Sequence, residues 1–374
     1  MKHIFKIASL LAAVVMLFSC EKQKGQEGGT DENAVLTIVS DRDVIQSNGK
    51  DVATLKVLFG EKDVTADAIF HDETDAVVSL DGGKFTATAD GEYKFWAEYG
   101  TSSTYKKNLD DKGLFTIKAI SVAVPPVAED AQKGNTSFVH RAFLTQYTGT
   151  GCGYCPYMIK IVKELMAEKI IPEKAVHAAV HSYSSVDPAY IAAPKVNGYP
   201  YLTVDLVQGF SHSQPASALK TLVDDDVKSE AMAGISVNPV YYSEEGTLVV
   251  SVSVKAAVDG LFNVGAWLLE DEIFGQQEDY DRVGDSSYNT HENCVRIADS
   301  RYLGSWFGHP LGTLKAGDAA TKTFVMKVKK SWKLENLHLA VFASYGEQSD
   351  DKLVYTVCNA VDAPIDVPTP FQYK

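Results

Sequence analysis

Cys152-Gly153-Tyr154-Cys155-Pro156 joins two segments of different hydrophobic periodicity. A β-type run, Phe138 to Thr148, comes before it, and a run with helical spacing, Met158 to Lys169, follows it. The cysteine pair is therefore predicted to lie where a strand ends and a helix begins. At a helix N-terminus, unpaired backbone N–H groups and the helix dipole favour a thiolate over a thiol. Because a thiolate is the nucleophile of thiol–disulfide exchange, the motif is the candidate redox site of the chain.

The N-terminus has the pattern of a processing segment rather than of a folded element. Lys2 and Lys6 are basic, residues 7–18 are apolar, and Leu17-Phe18-Ser19-Cys20 resembles the bacterial lipobox. A transmembrane anchor is the alternative, but the apolar run falls short of the roughly 20 residues that a spanning helix needs. Removal of a signal peptide at residues 1–19 and lipidation of Cys20 are therefore expected. The prediction is a lipid-anchored protein of the cell envelope, with residues 20–33 as a flexible tether.

Length and composition predict several packed domains. The chain has 374 residues, of which 45% are hydrophobic and 22% charged, as in ordinary globular proteins. The formal net charge of −14 argues against nucleic acid as a partner, because phosphate contacts need clustered Lys and Arg. The fold class predicted is multidomain: an all-β immunoglobulin-like sandwich, then an α/β domain, then a second all-β sandwich.

The two flanking regions have strand-like patterns. Residues 34–122 contain short alternating runs with turn residues between them, and residues 88–97 resemble bacterial immunoglobulin-like modules. This module is interpreted as a spacer, with a glycan- or protein-binding role as the alternative. Residues 123–136 are predicted to be a linker. Residues 234–374 are predicted to form the second sandwich, interrupted by the long acidic and aromatic segment Glu270 to Pro310.

The middle region, residues 137–233, changes periodicity and is predicted to have the order β-α-β-α-β-β-α, with one of the helices at residues 187–195. Pro200 lies where the third strand begins. A cysteine pair at the first strand–helix junction, this order of elements and a proline at this point together resemble the thioredoxin fold. In that fold a cis-proline packs beside the disulfide, which leads us to expect a cis Tyr199–Pro200 bond.

Four segments are similar to the Omp28-related outer-membrane lipoprotein family of Bacteroidetes. They are Phe143-Leu144-Thr145-Gln146-Tyr147-Thr148-Gly149, the cysteine motif, Gly198-Tyr199-Pro200, and Asn289-Thr290-His291-Glu292-Asn293-Cys294-Val295-Arg296. The resemblance spans residues 137 to 361. It implies a thioredoxin-like domain followed by a β-domain, at the outer membrane.

The roles that follow are hypotheses about exchange with exported or surface proteins through mixed disulfides. Cys152 attacks and is expected to be the more exposed cysteine, Cys155 resolves the mixed disulfide, and Pro200 shapes the substrate groove. His181 ends the second strand and is a candidate proton relay, although an ordinary sheet histidine is the alternative. A static disulfide in a non-catalytic binding or adhesion lipoprotein is the alternative to a thiol–disulfide oxidoreductase. No cofactor is expected.

The remaining cysteines leave two alternatives open. Cys294 and Cys358 each lie in a β-like segment, and they either pair as a structural disulfide or stay as buried free thiols. No second Cys-x-x-Cys and no nearby His pair accompanies the motif, so no metal site is expected. The acidic segment Glu270 to Asp285 is interpreted as a solvated loop, with calcium binding as the alternative, because it lacks an EF-hand pattern.

Overall fold

The computed structural model describes residues 34–107, 112–193, 196–301, 305–349 and 352–374. The predicted signal peptide, the lipidation site Cys20 and the tether lie outside the described residues. The described part of the chain is mostly β, as predicted. Within that part, no helix is both long enough and apolar enough to cross a membrane.

Two sheets form the N-terminal region, which is consistent with the predicted sandwich. Alternation decides which side chains face the core: in β3, Ala53, Leu55 and Val57 are buried and their neighbours are more exposed. These residues meet Ile45 and Ile117 of the opposite sheet in one apolar cluster. The strands are β1 (Leu36–Ser40), β2 (Val44–Gln46), β3 (Ala53–Phe59), β4 (Lys62–Asp63), β5 (Ile69–Asp72), β6 (Val77–Val78), β7 (Lys84–Phe85), β8 (Gly91–Tyr99), β9 (Ser102–Ser103) and β10 (Phe115–Ile120).

The middle region forms a mixed sheet with helices packed on one face. In sequence order its elements are β11 (Ala142–Thr148), α1 (Cys155–Ala167), α2 (Ile170–Glu173), β12 (Ala175–His181), β13 (Tyr201–Val204), β14 (Gln208–Phe210) and α3 (Ala216–Asp226). The strands lie in the order β14-β13-β11-β12, with β11 parallel to β12 and antiparallel to β13. Every residue of β11 and β12 is buried. Leu144 of β11 packs against Met158 and Leu165 of α1 and Leu219 of α3.

The helix predicted at residues 187–195 is wrong over the part that the structure describes, where residues 187–193 form turns and coil. Asp187 does not cap a helix. Its carboxylate instead accepts hydrogen bonds from the backbone N–H groups of Thr150, at 2.6 Å, and Ala189, at 2.8 Å. The segment follows the sheet edge, where Ile191 N donates to His181 O at 2.9 Å. The Asp187 carboxylate is therefore shared between a local turn and a tertiary contact to the disulfide loop, and no helix follows it.

The C-terminal region adds a three-stranded sheet and several strands to the sheet of the middle region. Its strands are β15 (Ala233–Tyr242), β16 (Thr247–Ala256), β17 (Gly260–Glu270), β18 (Ile273–Phe274), β19 (Thr290–His291), β20 (Cys294–Asp299), β21 (His309–Leu314), β22 (Ala319–Lys327), β23 (Leu337–Ser349) and β24 (Lys352–Pro364). Strands β15, β16 and β22 form the three-stranded sheet. It packs over β17 and β23 through an apolar core that includes Val252, Phe324, Leu268 and Val341. This arrangement is consistent with the predicted sandwich.

One nine-stranded sheet runs through the middle and C-terminal regions, in the order β14-β13-β11-β12-β20-β17-β23-β24 with β21 beside β17. The joint is the parallel contact between β12 and β20, where Ala179 pairs with Cys294 and Ala179 N donates to Asn293 O at 2.8 Å. Phe143 on the helix-free face of β11 packs on Phe342, with ring centroids 4.9 Å apart, and on Trp267, at 5.2 Å. The sequence predicts two separate domains here, whereas the strands of both share one sheet.

The segment predicted to be a linker, residues 123–136, has no helix or strand and lies against the three-stranded sheet. Ser251 Oγ donates to Pro125 O at 2.6 Å, and Asn238 Nδ2 donates to Pro126 O at 2.7 Å. The linker is therefore fastened along its length rather than free.

The shared sheet predicts that residues 137–233 cannot fold alone. Without the C-terminal region, Phe143 and the open edge of β12 lose the side chains and the strand that cover them. We expect a chain of residues 137–233 to show neither cooperative thermal unfolding nor near-UV circular dichroism, and residues 137–374 to show both. Cooperative unfolding of the shorter chain would contradict the shared sheet as a folding requirement.

Candidate functional site

The cysteine motif lies between a strand and a helix, as the sequence predicts. Cys152 and Cys155 form a disulfide with an S–S distance of 2.12 Å. Strand β11 ends at Thr148, and Cys155 is the first residue of α1, with Pro156 after it. Proline is tolerated there because the first N–H groups of a helix have no acceptor within the helix. The helix dipole is thus directed at the disulfide loop, and Cys155 N donates to Cys152 O at 3.0 Å within that loop.

Cys152 has the larger exposed fraction of the two cysteines, as expected, but both are buried. Cys152 is only 4% exposed, close to the 0% of Cys155. A segment of the C-terminal region between β18 and β19, which we call the strap (residues 275–281), lies against the disulfide loop. The strap belongs to the acidic segment that the sequence indicates is a solvated loop.

Hydrogen bonds attach the strap to the disulfide loop. Glu278 N donates to Thr150 O at 2.7 Å, and Tyr280 N donates to Gly153 O at 3.1 Å. Between them, the side-chain amide of Gln277 is buried, and its Nε2 lies 2.9 Å from Cys152 O and 3.2 Å from Thr150 O. The carbonyl oxygens of Thr150, Cys152 and Gly153 therefore all accept hydrogen bonds from the strap.

An aromatic ring completes the cover. A Cβ atom on Gly153 would lie 2.5 Å from ring atoms of Tyr280, so only glycine leaves room for the ring at this position. Tyr280 also meets Tyr154 edge to face, with ring centroids 5.4 Å apart. The Tyr280 ring therefore packs on Gly153 and beside the ring of Tyr154, the two residues between the cysteines.

The carboxylates of this segment are used within it. Asp279 accepts hydrogen bonds from the N–H groups of Val283, at 3.0 Å, and Gly284, at 2.8 Å, and Asp285 accepts from Ser287 N at 2.8 Å. These bonds lie within the segment itself and shape the loop. Among the residues that the structure describes, no group of three His, Cys, Asp or Glu side chains is placed to hold a metal ion.

Pro200 is buried, and the Tyr199–Pro200 peptide bond is cis. Tyr199 meets Tyr183 edge to face at 5.3 Å, and a Cβ on Gly151 would lie 3.5 Å from the Tyr183 ring. The ring of Tyr183 therefore lies between Tyr199, which precedes the cis bond, and Gly151 of the disulfide loop. The role of Pro200 in shaping a substrate groove stays a prediction.

His181 lies in a buried row of polar groups rather than beside an open cysteine. Its Nδ1 is 3.0 Å from both carboxylate oxygens of Asp187, and its Nε2 is 3.6 Å from the Sγ of Cys294. Burial raises the pKa of Asp187, but hydrogen bonds from His181 and two backbone N–H groups outweigh it and hold that pKa below its usual range. Because Asp187 also binds Thr150 N, His181 reaches the disulfide loop through Asp187.

Cys294 and Cys358 are both free and buried, which decides between the two alternatives left open by the sequence. Cys294 packs with Ala189 and Ile273, and Cys358 belongs to the core between the two C-terminal sheets. Burial raises the pKa of both thiols, so neither is a ready nucleophile.

Sequence reasoning missed the strap. Gln277 is 125 positions from Cys152, and no local pattern links the two. Gly153 is the one residue that carries a signal, because a glycine between the cysteines leaves space for a ring from elsewhere in the chain.

Comparisons with known proteins add little to this geometry. No protein-family model and no curated protein matches the chain. Among solved structures, the chain is similar to HBP35 of Porphyromonas gingivalis, with 16% sequence identity and a TM-score of 0.48, over 63% of this chain and 78% of that one. This likeness is too low to carry an argument about function. The resemblance to the Omp28-related family is not confirmed by these comparisons.

A buried histidine near the site predicts a pH dependence of stability. Asn293 Nδ2 lies 3.1 Å from His177 Nδ1, and Gln146 Oε1 lies 3.1 Å from His177 Nε2, an arrangement that suits a neutral ring. Burial lowers the pKa of His177 from 6.5 to about 4. Between these pH values the unfolded chain binds a proton and the folded chain does not, so stability is lost as pH falls.

We expect the free energy of unfolding to fall by roughly 3 kcal/mol more in the native chain than in His177→Gln between pH 7 and pH 4. Urea denaturation of both proteins over this range measures the difference. Parallel curves for the two proteins would contradict a neutral buried His177.

Proposed function

We propose that the chain is a membrane-anchored, thioredoxin-like protein that exchanges disulfides with exported or surface proteins. The observation that carries the proposal is the disulfide between Cys152 and Cys155 at the N-terminus of α1. A helix N-terminus stabilises the thiolate that each exchange step must form or release.

The elements around the disulfide support a thioredoxin-like domain. The strand before the motif, β11, lies between a parallel partner, β12, and an antiparallel partner, β13. Helices α1 and α3 pack on one face of these strands. Pro200, in a cis peptide bond, directly precedes β13. This is the arrangement that the resemblance to the thioredoxin fold implies.

The exchange conserves atoms and electrons. A thiolate of a substrate dithiol attacks Cys152 Sγ, the Cys152–Cys155 bond breaks, and Cys155 leaves as a thiolate at the helix N-terminus. The second substrate thiolate then attacks the substrate sulfur of the mixed disulfide and releases Cys152. Two electrons pass to the cysteine pair, and the substrate gains a disulfide. The same bonds form and break in reverse when the reduced pair meets a substrate disulfide.

A static disulfide is the second candidate, and the burial of both sulfur atoms favours it. In that case the bond braces the junction of β11 and α1, and the β-modules serve a binding or adhesion protein. The two candidates differ in whether the disulfide can be opened at moderate redox potential.

Cys155→Ala separates these candidates. If Cys152 attacks substrate disulfides, the variant cannot resolve the mixed disulfide, so we expect adducts that thiol reductants release. The double variant Cys152→Ala/Cys155→Ala should show none, and Cys358→Ala is the control for loss of a thiol away from the site. Non-reducing electrophoresis with mass spectrometry of cells grown under oxidising conditions measures the adducts. Absence of adducts, together with a native disulfide that resists strong reductants, would leave the static disulfide.

Membrane anchoring is the part of the proposal that rests on the sequence motif alone. Cys20→Ala should abolish incorporation of labelled palmitate and move the protein out of the membrane fraction, because one lipidated cysteine is the proposed attachment. Cys358→Ala, a control that removes a buried thiol, should keep both properties. Labelled lipid retained on Cys20→Ala would exclude anchoring at this residue.

A further inference from the structure

We infer that the backbone of residues 149–153 is a polypeptide-binding edge, which the chain's own strap fills as a pseudosubstrate. Because it names how substrates reach the same disulfide, this inference rests on the proposed function. The ligand class is an extended polypeptide segment that places an aromatic ring over Gly153. Binding of such a segment requires the strap to leave.

The strap's hydrogen bonds are of the kind that a substrate segment would make. Its two backbone donors, on Glu278 and Tyr280, are two residues apart, which is the spacing of groups on one edge of an extended strand. Their acceptors are Thr150 O and Gly153 O, on either side of Cys152. Hydrogen bonds from main-chain N–H groups to these two carbonyl oxygens do not depend on the side chains of the donating segment.

The ring of Tyr280 supplies the specific contact. It lies on Gly153, where a side chain of any size would collide with it, and beside the ring of Tyr154. Tyr154 is itself 50% exposed, and Tyr183 is 47% exposed. Exposed aromatic rings around a buried disulfide fit a partner that brings an aromatic residue of its own.

Polar contacts hold the strap with few buried side chains. Besides the bonds to the disulfide loop, Gln277 N donates to Asn289 Oδ1 at 2.9 Å and Tyr157 OH donates to Asp281 Oδ2 at 3.0 Å. From residue 276 to residue 280, Gln277 is the one buried side chain, whereas Tyr280 is 63% exposed. Among the described residues, nothing donates a hydrogen bond to the buried Oε1 of Gln277. An acceptor without a donor reduces what the amide contributes, and release of the strap returns it to water. Phe274, the last residue of β18 before the strap, has a side chain that is 73% exposed.

The strap also explains why Cys152 is closed in a site that is proposed to exchange disulfides. Gln277 Nε2 donates a hydrogen bond to the carbonyl oxygen of Cys152. Cys152 is 4% exposed. Attack on Cys152 Sγ therefore has to follow release of the strap. The rate of reduction then measures how often the edge is open.

The test compares the rate at which dithiothreitol reduces Cys152–Cys155 in the native protein and in strap variants. Gln277→Ala removes the amide bonds, and Gln277→Glu sets a carboxylate against carbonyl oxygens. Each should raise the reduction rate about tenfold. Tyr280→Ala should raise it as well. Tyr288→Ala is the matched control, because its ring packs on Lys163 of α1, at 5.6 Å, and the rate should not change.

The binding edge is tested with the strap's own sequence as the probe. A peptide of residues 275–281 should bind the double variant Gln277→Ala/Tyr280→Ala in calorimetry and slow its reduction again, whereas the same peptide with Ala at the tyrosine position should not. Near-UV circular dichroism checks that each variant keeps its fold, and Gln277→Glu alone keeps the test valid if the double variant does not fold.

The outcomes distinguish this inference from the proposed function. Unchanged reduction rates in all strap variants, or no binding of the peptide, would overturn the inference. Faster reduction and peptide binding in a protein that forms no adducts as Cys155→Ala would uphold the binding edge and refute catalysis. Adducts without any effect of the strap variants would uphold exchange and refute the pseudosubstrate.

Discussion

The parallel contact between β12 and β20 is the constraint on which the rest of the structure depends. Ala179 of β12 meets Cys294 at the start of β20, and Glu270 at the end of β17 lies beside the same residue. The segment between Glu270 and Cys294 therefore leaves and re-enters the sheet next to the last residues of β12. Because Thr148 pairs with His181, the disulfide loop begins at that same end of the sheet. The joint thus brings a C-terminal segment onto the cysteine pair.

A buried row of polar groups reinforces this joint. Cys294, His181 and Asp187 follow one another, and Asp187 binds the backbone of Thr150 in the disulfide loop. Such groups stabilise a fold when they are paired and weaken it when one partner is lost. The row therefore couples the position of the disulfide loop to the contact between the middle and C-terminal regions. His181 has a structural place in this row whether or not it transfers protons.

The strap over the disulfide both protects the bond and is able to open locally. Burial protects the bond from thiols, as in a static brace. Yet the cover consists of main-chain hydrogen bonds, one amide with an unused oxygen and a largely exposed ring, rather than of a packed apolar core. Contacts of this kind open locally at much lower free energy than strands in a core do. The same cover therefore fits both candidates: a static brace, and a disulfide that is exposed for exchange when the strap leaves.

The sequence by itself determined the local parts of this protein. Alternating apolar residues specify strands such as β3, helical spacing after Cys155 specifies α1, and Pro200 marks the start of β13. Each of these follows from backbone sterics and from the face that must be buried, which neighbouring residues decide. Only the tertiary structure decided that two predicted domains share a sheet, that Cys294 stays free, and that Asp187 turns inward instead of capping a helix. The tertiary structure also decided that the strap lies on the disulfide loop. Its contacts join residues far apart in the chain, and the periodicity of a segment does not encode its distant partner.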